Sequence, residues 1–405
     1  MTLPVGQDAN PQSGMAQRGD WPNASPLRVL HLNKHAWPHY GGIERHIEDL
    51  TAGLARQPDV AVSALVCSGG RVVTTGTRRD VSIEAVPSLG TLWSLPVAPG
   101  YFAALRRHLA SRPSLVHLHE PFPLGVAAWL LAAASGRSVL PHLVVTWHSD
   151  VVRQRVMLPL YGRLLRRLLA DASAVIVPTE RHITTSQFLP SMAAKCHVIP
   201  FGIDTQRYLQ PAALAKGRRL RAELGSERIV LFVGRLVSYK GLVYLIRAMT
   251  QINATLVVVG DGRERAALEQ LTRRAGIATR VRFTGPVSDA DLPEYYHACD
   301  VFVLPSTDAS EGLGIVQLEA MACAKPVVST ALPTGVTTVN RHRETGLVVP
   351  PGNAPALTEA IVDLLDRPTW ASTLGKKGQQ QVTRNHSIPQ MVAGTLALYR
   401  HVLAA

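Results

Sequence analysis

VLFVGRLVSYKGLVYLIRAM, residues 230–249, reads as one complete unit of an α/β protein. An aliphatic and β-branched run ends at Gly234, a polar loop carries Arg235 and Lys240, and an amphipathic helix follows. Strands of a parallel sheet are covered by helices on both faces, so they appear as unbroken apolar runs of this kind. The same alternation continues outward. Downstream lie TLVVVG (255–260), RVRFTG (280–285), DVFVLP (300–305) and KPVVST (325–330). Upstream lie LRVLHL (27–32), LVHLH (115–119), LVVTW (143–147), AVIVP (174–178) and HVIP (197–200). Residues 201–216, with Gly202 and Pro211, show no strand pattern and separate the two sets. The expectation is an α/β chain of two Rossmann-like domains whose parallel sheets face an inter-domain cleft. A loose leader spans 1–26, the first domain 27–205, the second 206–385, and a terminal segment 386–405.

A length of 405 residues calls for more than one core. With 46% hydrophobic and 18% charged residues, disordered and collagen-like chains are excluded. Lys plus Arg number 42 against 29 Asp plus Glu, a formal +13, which points to an anionic partner: nucleic acid, a phospholipid surface or a phosphorylated substrate. Aromatic residues are only 5%, and no basic stripe interleaved with aromatics occurs, which argues against nucleic acid. Cys67, Cys196, Cys299 and Cys323 are widely spaced without a CxxC, so neither a disulfide framework nor structural zinc is expected and a reducing cytoplasm fits. The leader lacks the apolar stretch of a secretory signal, and apolar windows such as 125–135 fall short of the ~20 residues a bilayer needs.

The richest stretch is STDASEGLGIVQLEAMACAKPVVST, 306–330, where a strand gives way to a helix expected near Leu313. Free N–H groups and the dipole at a helix N-terminus attract anions, and Gly312 and Gly314 let a phosphate approach. Glu311 and Glu319 would flank that pocket, since carboxylates accept hydrogen bonds from hydroxyl-rich groups. Lys240, expected at the start of its helix, opposes the local dipole unless an anion intervenes, and Arg235 adds a planar fork. Two such cations could neutralise a leaving diphosphate without a metal. WPHYGGIERHIEDL, 37–50, makes a glycine turn at Gly41–Gly42 after the first strand, and GDGRER, 260–265, makes another at Gly260 and Gly262. WHSD, 147–150, places His148 at the cleft edge. His117 and His119 share a strand face without a carboxylate partner, so core or cleft-lining roles are expected. Asp289–Ala290–Asp291 resembles a metal-holding DxD triad, but Ser288 as N-cap and acidic residues in the first turn of a helix over 289–298 account for it. No metal site is expected. The stretch 151–172 interleaves Arg153, Arg155, Arg163, Arg166 and Arg167 with apolar residues, a pattern that fits either a surface helix over the sheet or peripheral contact with anionic lipid.

Taken together, GGIERHIEDL, VIPFGIDTQRY, VGRLVSYKG, VVVGDGRER, FTGPVSDADL and EGLGIVQLEAMA resemble, in order and spacing, the retaining GT-B glycosyltransferases of family 4, from Leu27 to the C-terminus. The resemblance implies an acceptor-side first domain, a nucleotide-sugar-binding second domain, and a last helix crossing back to the first. Glu311 would face the donor sugar and Glu319 the ribose. Arg235 and Lys240 would hold the diphosphate with the amides of Gly312, Leu313 and Gly314. Gly42 would approach the phosphate and acceptor, and His148 the sugar near its anomeric centre. The nucleobase would lie near Gly260–Gly262 and Val287. The implied reaction is transfer with retention, free of metal and cofactor, from a nucleotide-diphosphate sugar to a glycan or lipid-linked acceptor of a cell-surface polysaccharide, in the cytoplasm or at the inner membrane face. Thr334–Gly335 and Asn340 replace the family's frequent Gly-Gly-x-x-Glu, a variant similar to polysaccharide and O-antigen enzymes using GDP-mannose or related deoxyhexoses such as rhamnose, with UDP-hexose open. Rival classes are a nucleotide-sugar epimerase, a phosphorylase and a basic nucleic-acid-binding protein. Replacing Glu311 or Lys240 by alanine is expected to abolish transfer and leave the fold intact.

Overall fold

The structure, a computed structural model, describes residues 26–35, 41–70, 72–92, 95–135, 140–150 and 158–405. The leader expected over 1–26 lies, but for Pro26, outside the described residues. Ten strands come from the first half of the chain: β1 (Leu27–His35), β2 (Val60–Ser68), β3 (Thr74–Arg78), β4 (Val81–Pro87), β5 (Thr91–Leu92), β6 (Leu95–Pro96), β7 (Leu115–Glu120), β8 (His142–Trp147), β9 (Ala174–Val177) and β10 (Cys196–Val198). Eight of them form one sheet in the order β10-β9-β8-β7-β1-β2-β4-β3, parallel except where β3 runs against β4. β5 and β6 form a separate antiparallel pair. The second half supplies β11 (Ile229–Val233), β12 (Thr255–Val259), β13 (Val281–Gly285), β14 (Val301–Leu304), β15 (Val327–Thr330) and β16 (Gly346–Val349), all parallel in the order β13-β12-β11-β14-β15-β16.

In each sheet the strand order reverses at one place, between β1 and β7 in the first and between β11 and β14 in the second. Loops leaving the carboxyl ends of neighbouring strands diverge at such a reversal and open a crevice. The carboxyl end of β1 holds Lys34, and the loops after β11 and β14 hold Arg235 and Glu311, so the sheet orders bring these residues to one cleft.

Residues 201–216 form no linker coil. They include the short helix Thr205–Leu209 and the first half of the helix Pro211–Leu224, whose Gly217 packs on the backbone of the helix Leu292–Ala298. The last helix, Ile388–Ala404, joins the first domain's core: Met391, Val392, Leu396 and Tyr399 are buried with Val29, Leu50 and Val144. Gly53 lets it approach, because a Cβ there would overlap Val392. The two points where the chain passes between domains lie side by side. Ile203 bridges to Ser387, its N–H donates to the His386 carbonyl at 2.9 Å, and the backbone at Gly202 touches Ser387.

Candidate active site

β14 leads through the buried Ser306 into the turn carrying Glu311. Gly314 takes a left-handed φ of +71°, and the helix Ile315–Ala322 begins just after it, two residues beyond the expected Leu313. The Glu311 carboxylate accepts from Ser306 Oγ at 2.7 Å and pairs with Lys240 Nζ at 2.7 Å, the two side chains being 8% and 11% exposed. Lys240 is not at a helix start. It closes the short 3₁₀ turn Ser238–Lys240, and the helix Leu242–Met249 begins beyond Gly241. Gly241 has φ +69°, and a Cβ on it would overlap the Pro305 carbonyl, so the β11 and β14 loops touch backbone to backbone. Burial disfavours the Lys240 ammonium, yet Glu311 and Tyr239 outweigh it and hold its pKa above the ordinary lysine value. The charge that the dipole argument reserved for a phosphate is thus already balanced inside the protein by Glu311.

Arg235 is exposed, and its charge acts on both Lys240 and Lys34. Burial lowers the Lys34 pKa, Glu44 works against that, and Arg235 adds to it. Three cations from two domains therefore converge on one cleft. Sequence reasoning missed Lys34, whose approach depends on how the domains close rather than on any local spacing.

Residues 37–40 of the first glycine turn lie outside the described residues. Gly42 opens the helix Gly42–Ala55 and sits against Ile315, the first residue of the helix across the cleft, so two helix N-termini lie side by side there. Their dipoles add at the point where an anion would sit. On the other side, a Cβ at Gly312 would overlap the His148 carbonyl oxygen, which makes glycine a requirement of domain contact there. Arg45 pairs with Asp289 across the same cleft. Asp291 is held by Ser288 Oγ at 2.6 Å and Lys216 at 3.1 Å. The Asp289–Asp291 carboxylates thus have separate cationic partners, and the helix starts at Leu292 rather than at 289.

Glu319 is buried, accepts from Tyr296 OH at 2.6 Å, and lines a cavity of about 300 Å³ with Arg45, Tyr208 and Asp289. Glu311 is not part of that wall. Glu311 stands with the lysine, and Glu319 beside the inter-domain ion pair. The helix begins at Ile315, so the two carboxylates are not on one continuous helical face.

Gly260, Gly262 and Val287 lie around the β12 and β13 ends. A Cβ at Gly260 would overlap Gly234 O, and one at Gly262 would overlap Leu236 O, so these glycines admit the β11 loop at van der Waals distance. Val287 is half-buried against the second domain's core. Asn340 turns inward, its Nδ2 reaching Val327 O, Ser329 Oγ and Leu347 O at 2.8–3.2 Å, which ties β15 to β16 rather than facing the cleft.

Beneath the cleft lies a buried group of imidazoles. His31 on β1 is the register partner of His117 on β7. His119 Nε2 is 3.0 Å from His31 Nδ1, and His119 Nδ1 is 3.3 Å from His148 Nε2. His46 lies tilted against Phe201 at 3.9 Å and meets His148 edge-on at 5.1 Å between ring centres. Burial pushes His31 and His46 down to about 3 and holds His117, His119 and His148 well below the ordinary range. His31, His117 and His119 each offer a nitrogen within 4.8 Å of the others, the one grouping among the described residues able to hold a metal ion. The sequence shows His117 and His119 as neighbours on one face; it does not show the β1 register that adds His31.

Of the stretch 151–172, residues 151–157 lie outside the described residues. In the helix Leu158–Asp171 that follows, Leu165, Leu168 and Leu169 are fully buried against the sheet, while Arg163, Arg166 and Arg167 are exposed. The apolar side is consumed by the core, which favours the surface-helix reading. No helix among the described residues is long and apolar enough to cross a membrane.

Residues 40–207 match the family described as Glycosyltransferase Family 4, and residues 218–381 match Glycosyl transferases group 1. The chain is 30% identical to the O-antigen chain mannosyltransferase C of Escherichia coli, over 93% of this chain and 99% of that one. It is 32% identical to the D-rhamnosyltransferase WbpZ of Pseudomonas aeruginosa, over 87% and 90% respectively. Its fold superposes on Anabaena Alr3699/HepE, solved in complex with UDP, with a TM-score of 0.73 and 25% identity, covering 92% of this chain and 100% of that one.

Proposed function

Since the chain belongs to the family 4 glycosyltransferases of GT-B fold, we propose that it moves mannose or a related deoxyhexose such as rhamnose from a nucleotide-diphosphate sugar onto a glycan or lipid-linked acceptor, with retention and without a metal. The observation that carries this reading is the convergence of Lys34, Arg235 and the Lys240–Glu311 pair on a cleft where two helix N-termini meet. A diphosphate carries the charge that such a place lacks. In the ground state Lys240 is shared with Glu311. As the glycosidic bond lengthens and charge grows on the leaving phosphate oxygen, the lysine, Arg235 and the free amides at Gly314–Ile315 stabilise it most, which is selective binding of the transition state. The leaving phosphate takes the acceptor's proton on the same face, so no protein nucleophile is needed. Glu311, next to Lys240, is placed to receive sugar hydroxyls, and Glu319, lining the adjoining cavity, to receive the ribose hydroxyls.

With a mannosyl- and a rhamnosyltransferase among the chain's relatives, the donor in this reading is GDP-mannose or GDP-rhamnose rather than a UDP-hexose. The acceptor belongs to polysaccharide or lipopolysaccharide synthesis at the cytoplasmic side, with the exposed arginines of the Leu158–Asp171 helix available to anionic headgroups. A thermal-shift screen over GDP-, UDP- and ADP-sugars tests the donor, because a ligand of the native state raises its melting point. A GDP-sugar is expected to give the largest rise; a flat response to all three removes the reading. Product analysis by NMR should show the donor's anomeric configuration kept and the rate unchanged by a chelator, whereas an epimerised free nucleotide sugar would identify an epimerase.

A further inference from the structure

We propose that His119 and His31 are positioning residues for His148, three imidazoles in file that fix which nitrogen of His148 carries its proton. The inference rests on His148 meeting the donor sugar. The links are His148 Nε2 to His119 Nδ1 at 3.3 Å and His119 Nε2 to His31 Nδ1 at 3.0 Å. All three rings are buried, between 0 and 4% exposed, and burial keeps each of them neutral.

A neutral imidazole donates through one nitrogen and accepts at the other. The file therefore has only two consistent polarities. Either both shared protons point toward His148, with His31 Nδ1–H donating to His119 and His119 Nδ1–H donating to His148, or both point toward His31. The far end decides between them. His31 Nε2 is buried with no hydrogen-bond partner among the described residues. Protons pointing toward His31 would place an N–H there without an acceptor, and orphaned buried N–H groups are the rarer of the two defects in folded proteins. Protons pointing toward His148 leave a bare lone pair instead. The second defect is the commoner, so His119 donates to His148 Nε2 and the His148 proton resides on Nδ1. His148 then presents a hydrogen-bond donor at its remaining edge, which suits a sugar oxygen and is unsuited to drawing a proton from an acceptor. His117 stands outside the file, since its nitrogens are taken by Tyr399 OH at 2.5 Å and Thr146 Oγ1 at 2.6 Å.

Histidine-labelled full-length protein tests this by ¹⁵N NMR of the imidazoles, without substrate. His148 is expected to be protonated at Nδ1 in the wild type and in His31→Asn, whose amide N–H replaces the Nδ1–H, and to shift toward Nε2 in His31→Leu. In turnover, His31→Leu and His119→Leu should lower kcat on the order of tenfold to a hundredfold with donor affinity kept, as expected of lost positioning. His119→Gln, whose amide can accept from His31 and donate to His148, should restore most of it. Protonation of wild-type His148 at Nε2, equal losses in the leucine and amide variants, or a stoichiometric metal ion held by His31, His117 and His119 in the purified protein would each overturn the assignment. If the wild type transfers no sugar at all, the proposed function fails, while the imidazole spectra still decide the tautomer.

Discussion

Lys240 and Glu311 hold each other in a place where neither charge could remain alone. Removing one partner of a buried pair leaves the other uncompensated, at a cost of about 3–5 kcal/mol. Lys240→Ala is therefore expected to lose transfer and also to melt several degrees lower, which replaces the expectation of an intact fold. The double replacement Lys240→Met with Glu311→Gln removes both charges and should recover most of the melting temperature while transfer stays absent. Thermal unfolding and initial-rate assays on the three proteins check this; a single variant as stable as the wild type would show the pair to be dispensable to folding. The residue types at this place are legible in the sequence, because a lysine beside a strand end and a glutamate before a glycine turn are locally unusual. Their mutual contact is not legible, because it depends on β11 and β14 being neighbours.

The glycine turns act as elements, each letting one loop lie against another. Gly312 meets the His148 carbonyl across the cleft, so Gly312→Ala should push the 148–150 segment back by roughly an ångström and lower kcat/KM on the order of a hundredfold, since displacements of that size already cost as much in catalytic geometry. Steady-state kinetics with saturating acceptor measure it, and an unchanged kcat/KM would mean the two segments do not meet during turnover. Strands buried on both faces, such as β1, β7, β8, β11, β12, β14 and β15, are legible as apolar runs. β3, TTGTR, is not: it is an exposed antiparallel edge with no apolar residue to mark it. β2 and β4 break their runs with Ser63 and Glu84, and β16 is only four residues after a polar loop. Helix starts shift for a physical reason too, as at Ile315 and Leu242, where a left-handed glycine spends the residues a helix would have used. Lys34 and Arg45, which act across the cleft, and His31, which meets its neighbours through the β1–β7 register, are invisible in sequence because register and domain closure, not spacing, bring them in.

At the scale of the molecule, the buried imidazoles set a pH limit. An unfolded histidine titrates near 6.5, whereas His31 and His46 titrate at about 3 and His117, His119 and His148 also lie well below 6.5. Below 6.5 the unfolded chain binds protons that the folded chain refuses, so stability falls as pH falls. Glu120 acts in the opposite direction: burial raises it to about 7 despite the Tyr161 hydroxyl and Phe122 N–H that favour its charged form, so its contribution is present below about 4.5 and is lost as pH rises through 7. These rings, together with His182 held at about 4 and His386 also lowered by burial, outweigh the Glu120 carboxyl and leave a net loss on acidification, of the order of a few kcal/mol between pH 7.5 and 5.5. Urea unfolding across that range should show the midpoint dropping; a midpoint that holds or rises would mean the rings take up protons without disrupting the core.

The paired passage of the chain at Ile203 and Ser387 has its own mechanical consequence. Two strands of backbone joined by a hydrogen bond behave like the two knuckles of a door hinge: the halves can swing open about the line through them, but twisting or sliding apart would strain both strands at once. Any opening of the two halves would thereby turn about that one line, and would bring the lysine and arginine on opposite leaves back to the same place on closing.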